Sequence, residues 1–212
     1  MSKDFKNIDE FLNVISKITN DGSVVISFTG EDIDIPIEKQ FAYVQEAKSL
    51  SLEEAIINLP TALRYALIMD GYEYLLDNLN WDELDNPTQH WPGHMTSRLL
   101  IKFPEMADKA DWSKLSNSWI SNLLIAHPEF DNRVDFKKIT KADAWVNLLR
   151  KKPEYSIKCD FSILNNDAMC DYYWGVLLIQ QPQFAESCDW SKLLEETKNK
   201  IIAKQPLLAK YA

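Results

Sequence analysis

Three groups of residues have types and spacings that could do chemistry. The first lies in QPQFAESCDWSKL, residues 181 to 193, where Cys188 adjoins Asp189 and Trp190, so that a thiol nucleophile stands beside a carboxylate. The second is HWPGH, which sets His90 and His94 four residues apart, the spacing of two zinc ligands on a continuous helix. Pro92 and Gly93 between them oppose such a helix, no cysteine is near, and His127 lies well downstream, so a metal site is not expected. The third is the carboxylate group Glu31, Asp32 and Asp34. Alternate residues of one strand share a face without converging on a cation, which leaves a solvated acidic face or a contact surface for a basic protein. Neither GxSxG, HExxH nor a phosphate-binding glycine loop occurs. No catalytic, cofactor or metal residue is therefore assigned, and the alternative reading is an enzyme with its site in the N-terminal part or near His90 and His94.

The elements around Cys188 decide how that group is read. Aligned on proline, RLLIKFPEMADKADWSKL (98 to 115), NLLIAHPEFDNRVDFKKI (122 to 139), NLLRKKPEYSIKCDFSIL (147 to 164) and VLLIQQPQFAESCDWSKL (176 to 193) are copies of one unit. Their prolines, Pro104, Pro128, Pro153 and Pro182, are 24, 25 and 29 residues apart. Trp112, Phe136, Phe161 and Trp190 keep the same spacings, and LNWDEL at 79 to 84 is a weaker upstream copy. Each unit reads as a pair of short helices. The first carries apolar residues three and four apart, and the proline suits the first position of the second, where its missing N–H costs nothing. Phe130 with Val134, Tyr155 with Cys159 and Phe184 with Cys188 then share a face at i and i+4. Asp111, Asp135, Asp160 and Asp189 precede the aromatic as helix caps or Asx turns.

Cys188 thus occupies the slot of Ala110, Val134 and Cys159 and is expected to be a small buried apolar group. Trp119, Trp145 and Trp174 are expected to form inter-repeat core. Any exposed edge of these rings would serve as a contact, and they stand with Glu31, Asp32 and Asp34 as candidate partner-binding residues. His127 precedes Pro128 and is read as a surface residue.

The pattern W..LL..QPQFA..CDWSKL resembles tandem repeats of gut-associated bacterial proteins, QPQFAESCDWSKL almost letter for letter. The two middle copies depart from it, with phenylalanine in place of tryptophan and without QP. The resemblance covers residues 95 to 195 approximately. It implies a helical-repeat architecture and carries no activity to any residue.

Residues 1 to 60 are of another kind. NIDEFLNVISKI (7 to 18) is an amphipathic helix with Ile8, Phe11, Leu12, Ile15 and Ile18 on one side. SVVISF (23 to 28) and DIDIPI (32 to 37), around Thr29, Gly30 and Glu31, read as a β-hairpin with one acidic face. Ser51 with Glu54 makes a capping box for a short helix ending near Pro60. The expectation is a mostly α chain. It is an α-solenoid of short helix pairs with 24 to 29 residues per repeat, a helix-plus-hairpin cap over 1 to 60, and a repeat domain over 61 to 212. SKLLEETKNKIIAKQPLLAKY is read as its C-terminal capping helix.

The totals agree. Seven tryptophans against five glycines in 212 residues is a helix-rich balance with enough apolar side chain for a core. The N-terminus carries charges where a secretory leader needs an apolar run, and three cysteines without a CxxC pair fit a reducing compartment, so a cytoplasmic, non-membrane protein is expected. Net charge is −9, and residues 1 to 60 hold five lysines against eleven acids. That balance disfavours direct nucleic-acid binding and favours a basic protein partner. The chain is accordingly read as a non-enzymatic, cofactor-free binding module of the immunity, inhibitor or chaperone-like kind. A self-associating repeat fragment is the duller alternative.

Overall fold

A computed structural model describes residues 3–20, 37–84 and 93–212. The described chain is mostly helical, and among the described residues there is no strand. The helices are α1 (Ile8–Asn20), α2 (Ile37–Ala47), α3 (Leu52–Ile57), α4 (Thr61–Asp70), α5 (Trp81–Leu84), α6 (His94–Lys102), α7 (Asn117–Ala126), α8 (Ala142–Lys151), α9 (Ser162–Asn165), α10 (Cys170–Gln180) and α11 (Glu195–Lys204). Among the described residues, none is long and apolar enough to cross a membrane. The hairpin expected at 23 to 37 lies outside the described residues, except for Ile37, which opens a helix.

The chain forms two compact units, Met1–Leu99 with Asp108–Asp111, and Leu100–Ala107 with Trp112–Ala212. The junction expected at residue 60 therefore lies inside the first unit. There α1 packs on α2, α3 and α4 through Phe11, Ile15 and Ile18, all buried. Phe5 stacks on Tyr72 with ring centroids 4.1 Å apart, and Lys3 pairs with Asp70 at 2.7 Å. The capping box at Ser51 forms as expected, the Ser51 N–H donating to Glu54 Oε2 at 2.9 Å. Arg64, 4% exposed, closes the other end of α3 by donating from Nη2 to Ile56 O at 2.6 Å. Its guanidinium thereby meets carbonyls that have no partner within the helix. The upstream copy shows the repeat's order of elements: α4, a 3-10 turn at Glu73–Asn78, then α5 led by Trp81. Its helix stops at Gly71, which takes a φ of 110 that disfavours any side chain.

In the second unit, helices end by a different device. Phe103, His127, Lys152, Gln181 and Gln205 each precede a proline, and their φ values run from −132 to −138 with ψ from 70 to 79. The clash between proline Cδ and the preceding residue excludes the α region, so the helix has to stop there. In the last four of these copies the N–H of that residue donates to a carbonyl four residues back at 2.7 Å.

Proline then opens a 3-10 turn, not the second α-helix of a pair: Pro104–Met106, Pro128–Phe130, Pro153–Lys158, Pro182–Ser187 and Pro206–Tyr211. A further short turn, Trp112–Lys114, Phe136–Lys138, α9 or Trp190–Lys192, leads to the next helix. Each of the first four copies is thus one longer α-helix followed by two short elements, both 3-10 turns except for α9 in the third, and Phe130, Tyr155 and Phe184 make a further contact described below. The sequence SKLLEETKNKIIAKQPLLAKY is also not one capping helix. It holds a fifth copy, with Gln205-Pro206 standing 24 residues after Gln181-Pro182.

The helices pack in order, α7 on α8, α8 on α10 and α10 on α11. Their shared face is Leu123 and Leu124, Leu148 and Leu149, Leu177 and Leu178, all without solvent exposure, and Ile201 continues it. Trp145 and Trp174, 1% and 0% exposed, form core as expected.

Candidate functional site

The polar groups with chemical capacity in the second unit converge on the seams between copies. At the C-terminal end of three helices, the residue before proline reaches back to the preceding helix. His127 Nε2–H donates to Ile101 O at 3.0 Å, Gln181 Nε2 to Arg150 O at 3.0 Å and Gln205 Nε2 to Ile179 O at 2.9 Å. Each acceptor lies three residues before the previous proline and is one of the carbonyls a helix end leaves open. Because its partner is a carbonyl, His127 carries a proton on Nε2, while Nδ1 lies 3.0 Å from Glu129 Oε1. Its side chain is 19% exposed, so the residue read as a surface group is a joint.

At the N-terminal end the direction reverses. Asn117 Oδ1 accepts from the backbone N–H of Thr140 at 2.9 Å and of Lys141 at 3.0 Å. Asp171 Oδ1 accepts from Leu194 N–H at 2.7 Å, and its Oδ2 accepts from Thr197 Oγ1 at 2.7 Å. Asn117 and Asp171 each stand eleven residues before a proline, and each caps the start of the following helix from the first turn of its own. Asn117 has a φ of 42, a left-handed conformation that asparagine tolerates better than most residues.

Between the two ends runs a row of rings. Trp112 meets Phe130 at 5.3 Å, Phe136 meets Tyr155 at 5.6 Å, Phe161 meets Phe184 at 5.7 Å, and Trp190 meets Tyr211 at 5.7 Å. In the first three pairs, the aromatic after the aspartate of one copy receives the aromatic two past the proline of the next. Such pairs contribute about 0.5–1.5 kcal/mol each beyond their burial. Trp112 and Trp190 also donate Nε1–H to Ala107 O and Ala185 O, both at 2.9 Å.

The residues singled out from sequence fall into this frame. Cys188 is 8% exposed, and burial pushes its thiol up to about 12, with Cys170 and Asp189 adding to the shift. Burial likewise pushes the Cys159 thiol up to about 12. Neither is a poised nucleophile, which needs a lowered pKa. Asp189, Asp160 and Asp135 accept from the backbone N–H two residues on, at 3.2, 3.0 and 3.0 Å, as Asx turns. Trp145 and Trp174 donate their indole N–H to Ile139 O and Asn165 Oδ1 inside the core, so as partner-binding residues both are withdrawn. Trp119 is half-buried, and Ile120, 1% exposed, holds the slot that Trp145 and Trp174 fill in the later copies. Glu31, Asp32, Asp34 and His90 lie outside the described residues. His94 is the first residue of α6, after Gly93 at a φ of 86, and burial lowers its pKa to about 4, so its ring is neutral. Among the described residues, no group of three or more His, Cys, Asp or Glu could hold a metal ion.

Sequence reading missed Asn117, Asp171 and Asn165. The last accepts from Trp174 and from Asp189 N–H, and donates to Ser187 O at 3.0 Å. The Gln-Pro dipeptide was the available signal for the helix-end joint, since it recurs at 181 and 205. Compared with protein-family models, with curated proteins and with solved structures, the chain returns no match.

Proposed function

We propose that this chain is a non-enzymatic helical-repeat protein that works by binding another protein. On this reading the second unit is a short α-solenoid whose copies present a continuous surface, the use to which such stacks are commonly put. The observation that supports it most is the commitment of the chemistry-capable groups. Cys159 and Cys188 sit in one recurring slot where burial raises their pKa, and Asp135, Asp160 and Asp189 are spent on turns of their own copies. His127 and the indole N–H groups of Trp112, Trp145, Trp174 and Trp190 are spent on backbone or side-chain acceptors inside the stack. Exposed side chains differ between copies, as expected of a scaffold that displays variable residues.

The acidic balance of the chain favours a basic partner, with Glu31, Asp32 and Asp34 as its contact, in the manner of a cytoplasmic immunity, inhibitor or chaperone-like protein. The resemblance of QPQFAESCDWSKL to bacterial tandem repeats supports the same architecture. The test is affinity capture from the native cell at low and high salt, beside a variant carrying Glu31→Lys, Asp32→Lys and Asp34→Lys. A basic protein held at low salt, released at high salt and absent from the variant's eluate is the expected result. Capture that ignores both salt and the charge reversal overturns the acidic contact.

A further inference from the structure

The second unit contains an open hollow of about 370 Å³ at the seam between its two middle copies. Its apolar wall is Phe136 and Ile163 at the surface, backed by Ile139 and Trp145, each 1% exposed, with Phe136 stacked near-parallel to Trp145 at 6.2 Å. Two lysines, Lys137 and Lys158, stand at its rim, and the Lys158 ammonium lies 5.9 Å above the Phe136 ring. The one carboxylate in the wall, Asp160, is already engaged by the Ser162 N–H at 3.0 Å.

We propose that this hollow is a binding site for a small planar aromatic carboxylate of indole or naphthalene size. Its volume lies within the range of small-molecule pockets, about 300–1,000 Å³, and an aromatic wall with few charged groups is the usual composition of such a pocket. A flat ring laid against Phe136 makes an offset stack, and its carboxylate then meets Lys158, with Lys137 in reach as a second cation. Two cations against one occupied carboxylate give this seam a positive rim on a chain whose net charge is −9, so the selection for an anion is local. The site coincides with the copies that carry Phe136 and Phe161 where the outer copies carry Trp112 and Trp190. This proposal is independent of the protein-binding reading above.

The test is isothermal titration calorimetry of the full chain with indole-3-carboxylate, its neutral amide and tryptamine. For about a dozen heavy atoms the carboxylate should bind with a Kd on the order of 10⁻⁴ M. The amide should bind at least about tenfold more weakly, and tryptamine should give no saturable heat. Lys137→Glu with Lys158→Glu should weaken the carboxylate at least about tenfold, a loss of about 1.4 kcal/mol. Lys210→Glu, which lies at another hollow of the same unit, should leave it unchanged. Both rim lysines are exposed, so the double variant should keep the wild-type circular dichroism, and Lys158→Gln repeats the comparison without charge reversal. No saturation by about 5 mM, equal affinity for acid and amide, or a loss caused by Lys210→Glu and not by the rim variants would overturn the site.

Discussion

The two units stop their helices in different ways. In the first, α4 ends on Gly71 at a φ of 110, and α3 ends under a guanidinium supplied by α4. In the second, five stops are made by the residue before a proline, with nearly identical φ and ψ. The first solution depends on a residue without a side chain and on a contact from elsewhere in the unit. The second is purely local and accepts Phe, His, Lys or Gln, so the side chain at the stop is free to take up a second task. Three of the five use it to grip the preceding helix.

The largest expected effect separates core from joint. Trp174→Ala removes a ring with no solvent exposure and should cost about 3–5 kcal/mol. Hydrogen exchange should then lose protection within 112–212, whereas Phe5→Ala, beside Tyr72, should lose it within 3–84. Protection lost equally in both regions by both variants would break the division into two units.

Next in size is a pH effect from the buried histidine of the first unit. His94 has its pKa lowered to about 4 by burial and by Arg98, while an unfolded histidine titrates near 6.5. The unfolded chain therefore binds a proton that the folded chain refuses. Stability is intact above about pH 6.5 and falls as the pH drops towards 4, by about 2–3 kcal/mol from this residue. Denaturant midpoints at pH 7 and pH 4.5 should show the fall, and His94→Gln should flatten it.

A smaller effect tests the stops directly. Gly71→Ala places a Cβ at a φ of 110 and should cost about 1–2 kcal/mol, measured by thermal denaturation. Gln181→Ala should cost about 1 kcal/mol by leaving Arg150 O unpaired, while His127→Gln should cost less than about 0.5 kcal/mol, because glutamine performs the same grip in two other copies. The smallest expected change is Cys188→Ala, below about 1 kcal/mol, since Ala110 stands in the same slot. Wild-type Cys188 should react with iodoacetamide only after unfolding.

How much was legible follows from range. The stops, the Asx turns, the capping box and the buried leucine pairs rest on residues within a few positions of one another, and the sequence pattern placed them correctly. The 3-10 turns were misread as helices because an apolar pair four apart looks alike in both conformations at that length. The fifth copy escaped because Leu208 stands where the three preceding copies have a ring, and Tyr211 supplies the stacking partner three residues later. Asn117 and Asp171 were invisible because their partners lie more than 20 residues away and nothing near them in the chain marks the contact. The withdrawal of Trp145 and Trp174 has the same origin: spacing told that they face the stack, and only packing told that no edge is left over.

The joints have a consequence for how such a chain can lengthen. Two copies bring both halves of their connections, Asn117 or Asp171 to steady the start of the successor and His127 or Gln181 to grip the helix behind. Either of these two copies, duplicated whole, would arrive with matching fittings at both ends, and nothing already assembled would need to be re-cut.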